Sequence, residues 1–265
     1  MNTLDISFYI AVAGSLISIL VLKFFNITEY SKINIVEIKS ADKNISSARI
    51  EEIINKFILY LGLTNAEIKI NYGNSDTYSQ IYSMLNRRKK EINIPKWIMP
   101  SVGYELDYLL ASVWYNVKLY KKDKGVRKMQ FFISVAPFIF MFIYYIFIFL
   151  IIVLLIIRVF IMDEIYFNSS FLYEIFNFKI LELISLTVYF LYIICEFNTV
   201  RMKMLLEMNY ERNIVKFVDE ELAGYKADLS AARLYAIEVK KLNYETFRIN
   251  SKTQNIKYLG PFVKL

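Results

Sequence analysis

The side chains that most often carry enzyme chemistry are scarce in this sequence. Its 265 residues include no histidine and a single cysteine, Cys195. A chain without histidine cannot form a histidine-ligated metal site, a Ser-His or Cys-His nucleophile, or a histidine proton shuttle. Carboxylates and lysines remain, and Glu196 has the most distinctive position, next to Cys195 at the end of an apolar run. We interpret Glu196 as a weak cation ligand or, preferably, as an interfacial acid paired with Arg201.

Nucleotide and nucleic-acid sites are also poorly supported by the sequence. Neither a phosphate-binding glycine loop nor a Gly-x-Ser-x-Gly elbow occurs, and the chain has only seven glycines. The basic run from Arg87 to Lys90 lies at a predicted turn without aromatic side chains arranged for base stacking. A solvated turn or a contact with anionic lipid explains it better. We therefore expect no cofactor, no bound metal and no nucleic-acid partner.

The composition indicates a membrane protein. Apolar residues make up 56% of the chain, and the mean hydropathy is +0.36. Three apolar runs, Ile6 to Leu22, Phe131 to Ile157 and Leu183 to Cys195, are candidates for membrane spans. The first is expected to be a retained anchor, because it lacks the basic start and the small-residue cleavage site of a signal peptide. The third is shorter, so a buried interfacial helix is its alternative.

Basic residues between the first and second runs set the expected topology. They form a cluster that also suits contact with anionic headgroups. Its members of interest are Lys118, Lys121, Lys122, Arg127 and Lys128. The loop 158–182 is richer in acids, so the positive-inside rule places that loop outside and the basic cluster in the cytoplasm. The expected location is the cell membrane, with the N-terminus outside and the C-terminus cytoplasmic.

The predicted fold class is a mainly α membrane protein with three transmembrane helices. A small α+β cytoplasmic insert and a helical cytoplasmic C-terminal region complete it. The predicted parts are an anchor (1–25), an α+β insert (26–130), two transmembrane helices with a short outer loop (131–197) and a helical tail (198–265).

Periodicity predicts the elements inside the cytoplasmic parts. Apolar residues at helical spacing predict a helix near 47–61, with Ser47 as its cap and Gly62 at its end. Alternation predicts strands at 67–72 and 91–94, with a further strand at 80–85. Further helices are expected near 105–122, 200–222 and 226–242, the last two separated by a break at Gly224.

Three short segments carry a family resemblance. They are Ala111-Ser112 followed by Val113-Trp114-Tyr115-Asn116-Val117, Glu196-Phe197-Asn198 after a span, and Leu229-Ser230-Ala231-Ala232. Together with the order of elements over about 1–240, they resemble the bacterial membrane-bound neutral zinc metallopeptidases of the YugP type. In that family a His-Glu-x-x-His helix binds zinc and activates water. The resemblance places the ligand positions at Val113 and Val117, the base at Trp114 and a candidate third ligand at Glu196.

The chemistry of that family does not carry over, because a valine side chain has no lone pair to donate. We therefore expect a catalytically inactive relative, which acts as a scaffold or regulatory protein and binds a protein partner in a groove lined by Val113, Trp114 and Val117. One alternative is a hydrolase with an atypical metal site at Glu196. The other is a membrane component that handles a lipid or a small solute. The charged segment after Leu229 is expected to be an interfacial or partner-docking helix rather than a further span.

Overall fold

The computed structural model describes residues 3–32, 45–64, 66–73, 81–96, 99, 101–161, 170–238 and 260–262. These residues are mostly helical and include one small three-stranded sheet. The chain divides into two compact units. We call residues 1–25 with 132–198 the first unit, and residues 26–131 with 199–265 the second unit.

The elements follow one another in a simple order. The helices are α1 (Thr3–Lys32), α2 (Ser47–Tyr60), α3 (Val102–Tyr120), α4 (Lys124–Gln130), α5 (Ala136–Ile156), α6 (Phe171–Asn177), α7 (Ile180–Glu221) and α8 (Lys226–Glu238). The strands are β1 (Lys69–Tyr72), β2 (Leu85–Asn86) and β3 (Glu91–Ile94). π-helical turns at Phe131–Val135 and Ile157–Ile161 flank α5, so α4 continues into α5 without a break.

Two helical stretches are long and apolar enough to cross a membrane. They are Lys124–Phe160, which contains α5, and Ile180–Glu221, which is α7. The apolar part of α1, Ile6–Leu22, is a shorter helix. Length and composition therefore support the second and third expected spans, and the first stays a prediction.

In the first unit, α1 packs against α5 and α7. Ile19 belongs to an apolar cluster with Tyr144, Val188 and Tyr192. Two hydroxyl pairs add to this packing, with 2.7 Å between Ser15 Oγ and Tyr144 Oη and 2.6 Å between Ser18 Oγ and Tyr189 Oη. Each pair satisfies two hydroxyls in apolar surroundings, where an unmade hydrogen bond is costly.

The sheet of the second unit has the order β1-β3-β2. β1 pairs with β3 in parallel, and β2 pairs with β3 antiparallel. The strands expected at 67–72 and 91–94 are confirmed, although β1 begins at Lys69. The strand expected at 80–85 is wrong: Ile81–Ser83 form a 3₁₀ turn, and only Leu85–Asn86 pair. The amide Nδ2 of Asn116 donates to the Ile81 carbonyl at 3.0 Å, which satisfies a backbone group that a strand would have paired.

Helix α2 confirms the apolar periodicity that predicted it, because the residues at helical spacing are buried. Its cap is Ser46 rather than Ser47, and the Ser46 hydroxyl accepts from the Arg49 amide at 3.3 Å. At its other end Gly62 has φ +70°, a left-handed conformation that suits glycine.

Helix α7 joins two elements that the sequence analysis separated. The third apolar run and the helix expected at 200–222 form one helix of 42 residues. No glycine or proline occurs between Ile180 and Glu221, so nothing in the local sequence ends the helix there. A 3₁₀ turn at Ala223–Tyr225 then gives the expected break at Gly224. Helix α8 follows to Glu238, and the remainder of its expected range, 239–242, lies outside the described residues.

Candidate functional site

Helix α3 lies in the core of the second unit and is buried over almost its whole length. Its close approach to α8 depends on Gly103, where an added Cβ would lie 2.2 Å from the Asp228 carbonyl oxygen. The three motif positions Val113, Trp114 and Val117 are all buried, with at most 1% of each side chain exposed. They are therefore part of the apolar core and do not line an open cleft.

Five aromatic side chains, which we call the aromatic cluster, pack together on α3. They come from the 3₁₀ turn at Ile81–Ser83, from α3, from α7 and from the segment Gly260–Phe262. The five residues are Tyr82, Trp114, Tyr115, Tyr210 and Phe262. The ring centroids of Trp114 and Tyr210 are 5.5 Å apart, and those of Tyr82 and Tyr115 are 5.1 Å apart. Edge-to-face and tilted contacts at these distances are favourable beyond the apolar area they bury.

The segment Gly260–Phe262 covers this part of α3. The Phe262 ring is fully buried, 6.0 Å from the Trp114 ring and 5.4 Å from the Tyr210 ring between centroids. Tyr82 Oη donates to the Phe262 carbonyl oxygen at 2.8 Å. Gly260 has φ +109°, and a Cβ there would approach Ala236 Cβ to 2.9 Å. A segment from the far end of the chain is thus held by an apolar anchor, a backbone hydrogen bond and a site that only glycine fits.

Two polar atoms in the aromatic cluster are buried without a hydrogen-bond partner among the described residues: Trp114 Nε1 and Tyr115 Oη. Burial raises the pKa of the Tyr115 phenol, so it stays protonated and can donate. Leaving a buried donor unpaired costs about 1–3 kcal/mol. The cluster therefore has two donors that an acceptor in the right place could satisfy.

A second group of side chains, which we call the ionic network, links α3, α7 and α8. Its members are Asp107, Lys203, Glu207 and Arg233, all buried. Arg233 Nη2 lies 2.5 Å from Glu207 Oε2, and Arg233 Nη1 lies 3.4 Å from both carboxylate oxygens of Asp107. Lys203 Nζ lies 3.4 Å from Glu207 Oε1 and donates to the Ala236 carbonyl at 2.6 Å. The network balances two acids against two bases.

Burial dominates the electrostatics of Asp107. Loss of hydration raises the pKa of its carboxyl to about 6, although the nearby Arg233 guanidinium opposes that rise. Burial alone would lower the pKa of Arg233, but the carboxylates of Asp107 and Glu207 outweigh burial and raise it. Arg233 is therefore a permanent cation, whereas burial brings the pKa of the Asp107 carboxyl to about 6.

The remaining residues singled out in the sequence lie in different places. Glu196 is half-buried on α7 in the first unit, beside the buried Cys195. The other three motif positions belong to the second unit. Within the described ranges, no three His, Cys, Asp or Glu side chains come together in a way that could hold a metal ion.

The basic cluster surrounds the junction of α3 and α4. Lys118 is half-buried, whereas Lys121, Lys122, Arg127 and Lys128 are exposed. Lys121 Nζ also donates to the carbonyls of Leu61 and Gly62 at 2.8 and 2.9 Å. Lys121 therefore stabilises the C-terminal end of α2, a structural role that the sequence did not indicate.

Sequence reasoning missed both the ionic network and the part played by Phe262. The spacing of Lys203 and Glu207 at i and i+4 is a local signal for an ion pair, but it occurs on many exposed helices. Asp107 and Arg233 carry no pattern that relates them, and Phe262 is separated from the rest of the described chain by residues 239–259.

In comparisons with known proteins, no family model, no curated protein and no solved structure matches this chain.

Proposed function

We propose that this protein is a membrane-bound, non-catalytic relative of zinc metallopeptidases that binds a protein segment without cutting it. One observation carries the proposal. The segment Gly260–Phe262 already lies against Trp114, the position that the resemblance assigns to the catalytic base. The two ligand positions on the same helix, Val113 and Val117, are apolar and buried. Helix α3 thus contacts a chain segment, and neither ligand position offers a lone pair for a metal.

The chemistry of the aromatic cluster suits such a role. Buried aromatic side chains are the commonest anchors of protein–protein binding, because each removes a large apolar area from water with little loss of conformational freedom. Tyr82 adds a hydroxyl that can hold a peptide carbonyl, as it does with Phe262. A partner that supplies an apolar segment with an aromatic side chain would meet complementary groups here.

The proposal includes a membrane location with three spans and cytoplasmic placement of the second unit. It is supported by the exposed Arg127 and Lys128, which lie near the start of the helical stretch Lys124–Phe160, just before its apolar part. Basic side chains at the end of a span favour the cytoplasmic side and contact anionic lipid. The packing of α1 against α5 and α7 supports treating α1 as a span as well, the first of the three along the chain.

The test is affinity purification from the native membrane in mild detergent, followed by mass spectrometry. We expect a near-stoichiometric protein partner with the wild type. Trp114→Phe, which keeps an apolar ring but changes the shape of the cluster, should reduce the captured partner several-fold. The matched control is Leu234→Ala on α8, a side chain that is 65% exposed and should leave capture unchanged.

A wild-type protein that purifies as a lone particle would contradict the scaffold function. Equal capture by wild type and Trp114→Phe, at equal melting temperature, would place the partner elsewhere on the protein. Lipid bound at fixed stoichiometry in place of a protein would instead favour the lipid-handling alternative.

A further inference from the structure

Phe262 blocks direct access to Trp114, so a partner segment needs a way to reach the pocket. We propose that Tyr82, Trp114, Tyr115 and Tyr210 form a peptide-binding pocket, and that Gly260–Phe262 is its exchangeable internal occupant. The ligand class is a short peptide with a glycine, a proline and an aromatic residue in succession, able to adopt the turn that Gly260–Phe262 forms. The inference rests on the proposed function, because it identifies how that site receives its partner.

The walls of the pocket come from residues outside Gly260–Phe262, the segment that we call the tail from here on. They come from the 3₁₀ turn at Ile81–Ser83, from α3 and from α7, and the Trp114 and Tyr210 rings contact each other directly at 5.5 Å between centroids. The amide of Asn116 holds the turn in place by donating to the Ile81 carbonyl at 3.0 Å. Phe262 enters as a fifth ring, with both Trp114 and Tyr115 against it. Four rings from the rest of the second unit around one inserted aromatic anchor are the arrangement of a peptide-recognition site.

The contacts to the tail select a sequence as well as an apolar side chain. Tyr82 Oη recognises the main chain at the Phe262 carbonyl. Gly260 lies so close to Ala236 that a side chain would clash, and its φ of +109° is a conformation that favours glycine. Pro261 between them is buried and has a restricted φ, so the segment loses little conformational freedom when it binds.

The internal occupant also leaves part of the pocket unsatisfied. Trp114 Nε1 and Tyr115 Oη are buried donors without a hydrogen-bond partner among the described residues. A competing peptide that brings an acceptor to either donor would gain what the tail does not supply. Gly260–Phe262 therefore leaves two donors in the described pocket for an acceptor that a competing peptide could bring.

The experiment uses the full chain, with a specific protease site inserted between Asn250 and Ser251. The purified protein is cleaved after folding, and a fluorescent peptide with the sequence of residues 256–265 is added. We expect the fragment that starts at Ser251 to dissociate on size exclusion and the labelled peptide to bind saturably by anisotropy. Uncleaved protein should bind the peptide at least tenfold more weakly, because its own tail competes at high effective concentration.

Two matched variants test the geometry. A peptide with Phe262→Ala should bind at least tenfold more weakly, since it lacks the aromatic anchor. Tyr82→Phe in the protein removes one hydrogen bond and should weaken binding about fivefold, which corresponds to about 1 kcal/mol. Ser83→Ala, in the same turn, is the control and should bind as the wild type does.

Exchange is refuted if the cleaved, folded protein keeps its fragment and takes up no labelled peptide. Loss of the melting transition on cleavage would also refute it, because the tail would then be a fixed part of the core. Equal binding by cleaved and uncleaved protein, or by the alanine peptide, would place the peptide outside the pocket. Exchange without any captured partner in the membrane purification would reject the proposed function alone, and a captured partner without exchange would reject this inference alone.

Discussion

Asp107 shows how burial and charge pairing compete at a single residue. Its carboxyl is fully buried and faces Arg233 and Glu207. Tyr210 Oη donates to the backbone carbonyl of Asp107 at 3.2 Å. Arg233 is shared with Glu207, so its guanidinium does not replace the hydration that Asp107 loses. The ionic network therefore fixes the positions of three helices at an electrostatic cost, which makes its members sensitive to pH and to substitution.

The first prediction concerns the pH dependence of stability. Asp107 has a pKa of about 6 in the native protein, against an ordinary value of 3.8. Because the native state holds this proton more tightly than the unfolded state, the contribution to stability is complete below pH 4. It is lost as the pH rises through 6 and amounts to up to about 3 kcal/mol. Asp107→Asn does not titrate, so its melting temperature should rise relative to the wild type between pH 4 and 7.

The measurement is thermal unfolding in detergent at several pH values for both proteins. Asp219→Asn, at an exposed carboxylate, is the matched control and should follow the wild type. A constant difference between Asp107→Asn and wild type over this range would mean that Asp107 does not titrate there.

The second prediction concerns Arg233. Arg233→Met keeps much of the side-chain volume but leaves Asp107 and Glu207 without their shared cation, so we expect a loss of about 3–5 kcal/mol in the free energy of unfolding near pH 7. The control is Lys226→Met, which removes the exposed pair with Asp219 and should cost less than about 1 kcal/mol. Denaturant unfolding at one pH compares the two. Similar costs would show that burial does not strengthen the Arg233 interactions.

At the scale of elements, the third prediction tests the close packing of α3 on α8. Gly103→Ala would place a methyl group 2.2 Å from the Asp228 carbonyl oxygen, a backbone atom that can move only with its helix. We expect a loss of about 1–3 kcal/mol in stability, because the two helices must separate. Gly224→Ala, where an added methyl group meets nothing within 4 Å, should be neutral or slightly stabilising. Equal melting temperatures for both variants would contradict this packing.

Elements with a strong local pattern could be predicted from the sequence, and those that depend on distant contacts could not. Ile50, Ile53 and Phe57 recur at helical spacing, and α2 forms there with those residues buried. The segment from Ile81 is expected to be a strand. The Asn116 amide donates to the Ile81 carbonyl from a distant helix, and the segment forms a 3₁₀ turn instead. The length of α7 was missed because a change from apolar to amphipathic composition resembles a boundary, although no residue there ends a helix.

At the scale of the whole molecule, the fourth prediction is the membrane topology. In a Cys195→Ser background, we expect Asn168→Cys to react with a membrane-impermeant maleimide in intact cells. Lys89→Cys should react only after permeabilisation, because the proposed topology, based on the basic residues before α5, has the second unit in the cytoplasm. Position 168 lies outside the described residues, and Lys89 is exposed in the turn between β2 and β3. Labelling of Lys89→Cys in intact cells would reverse the topology.

The candidate site could be predicted only in part, because contacts between residues far apart in sequence leave no local pattern. The positions Val113, Trp114 and Val117 are singled out by the family resemblance, and the sequence predicts that they lie on one helix. The contact of Phe262 with Trp114 joins residues 148 positions apart, which no periodicity records. The ionic network likewise joins residues 107, 207 and 233 from three separate helices.

The charge balance of the ionic network has an evolutionary consequence. Asp107 and Glu207 neutralise Lys203 and Arg233 inside a core that cannot hydrate an excess charge. Neutral substitution of a base alone leaves buried carboxylates without their cation, whereas loss of a base together with an acid keeps the charge balanced. In related chains these four positions should therefore change in pairs of opposite sign. Covariation of this kind at the four positions would help to recognise chains with the same fold even after their apolar residues have diverged.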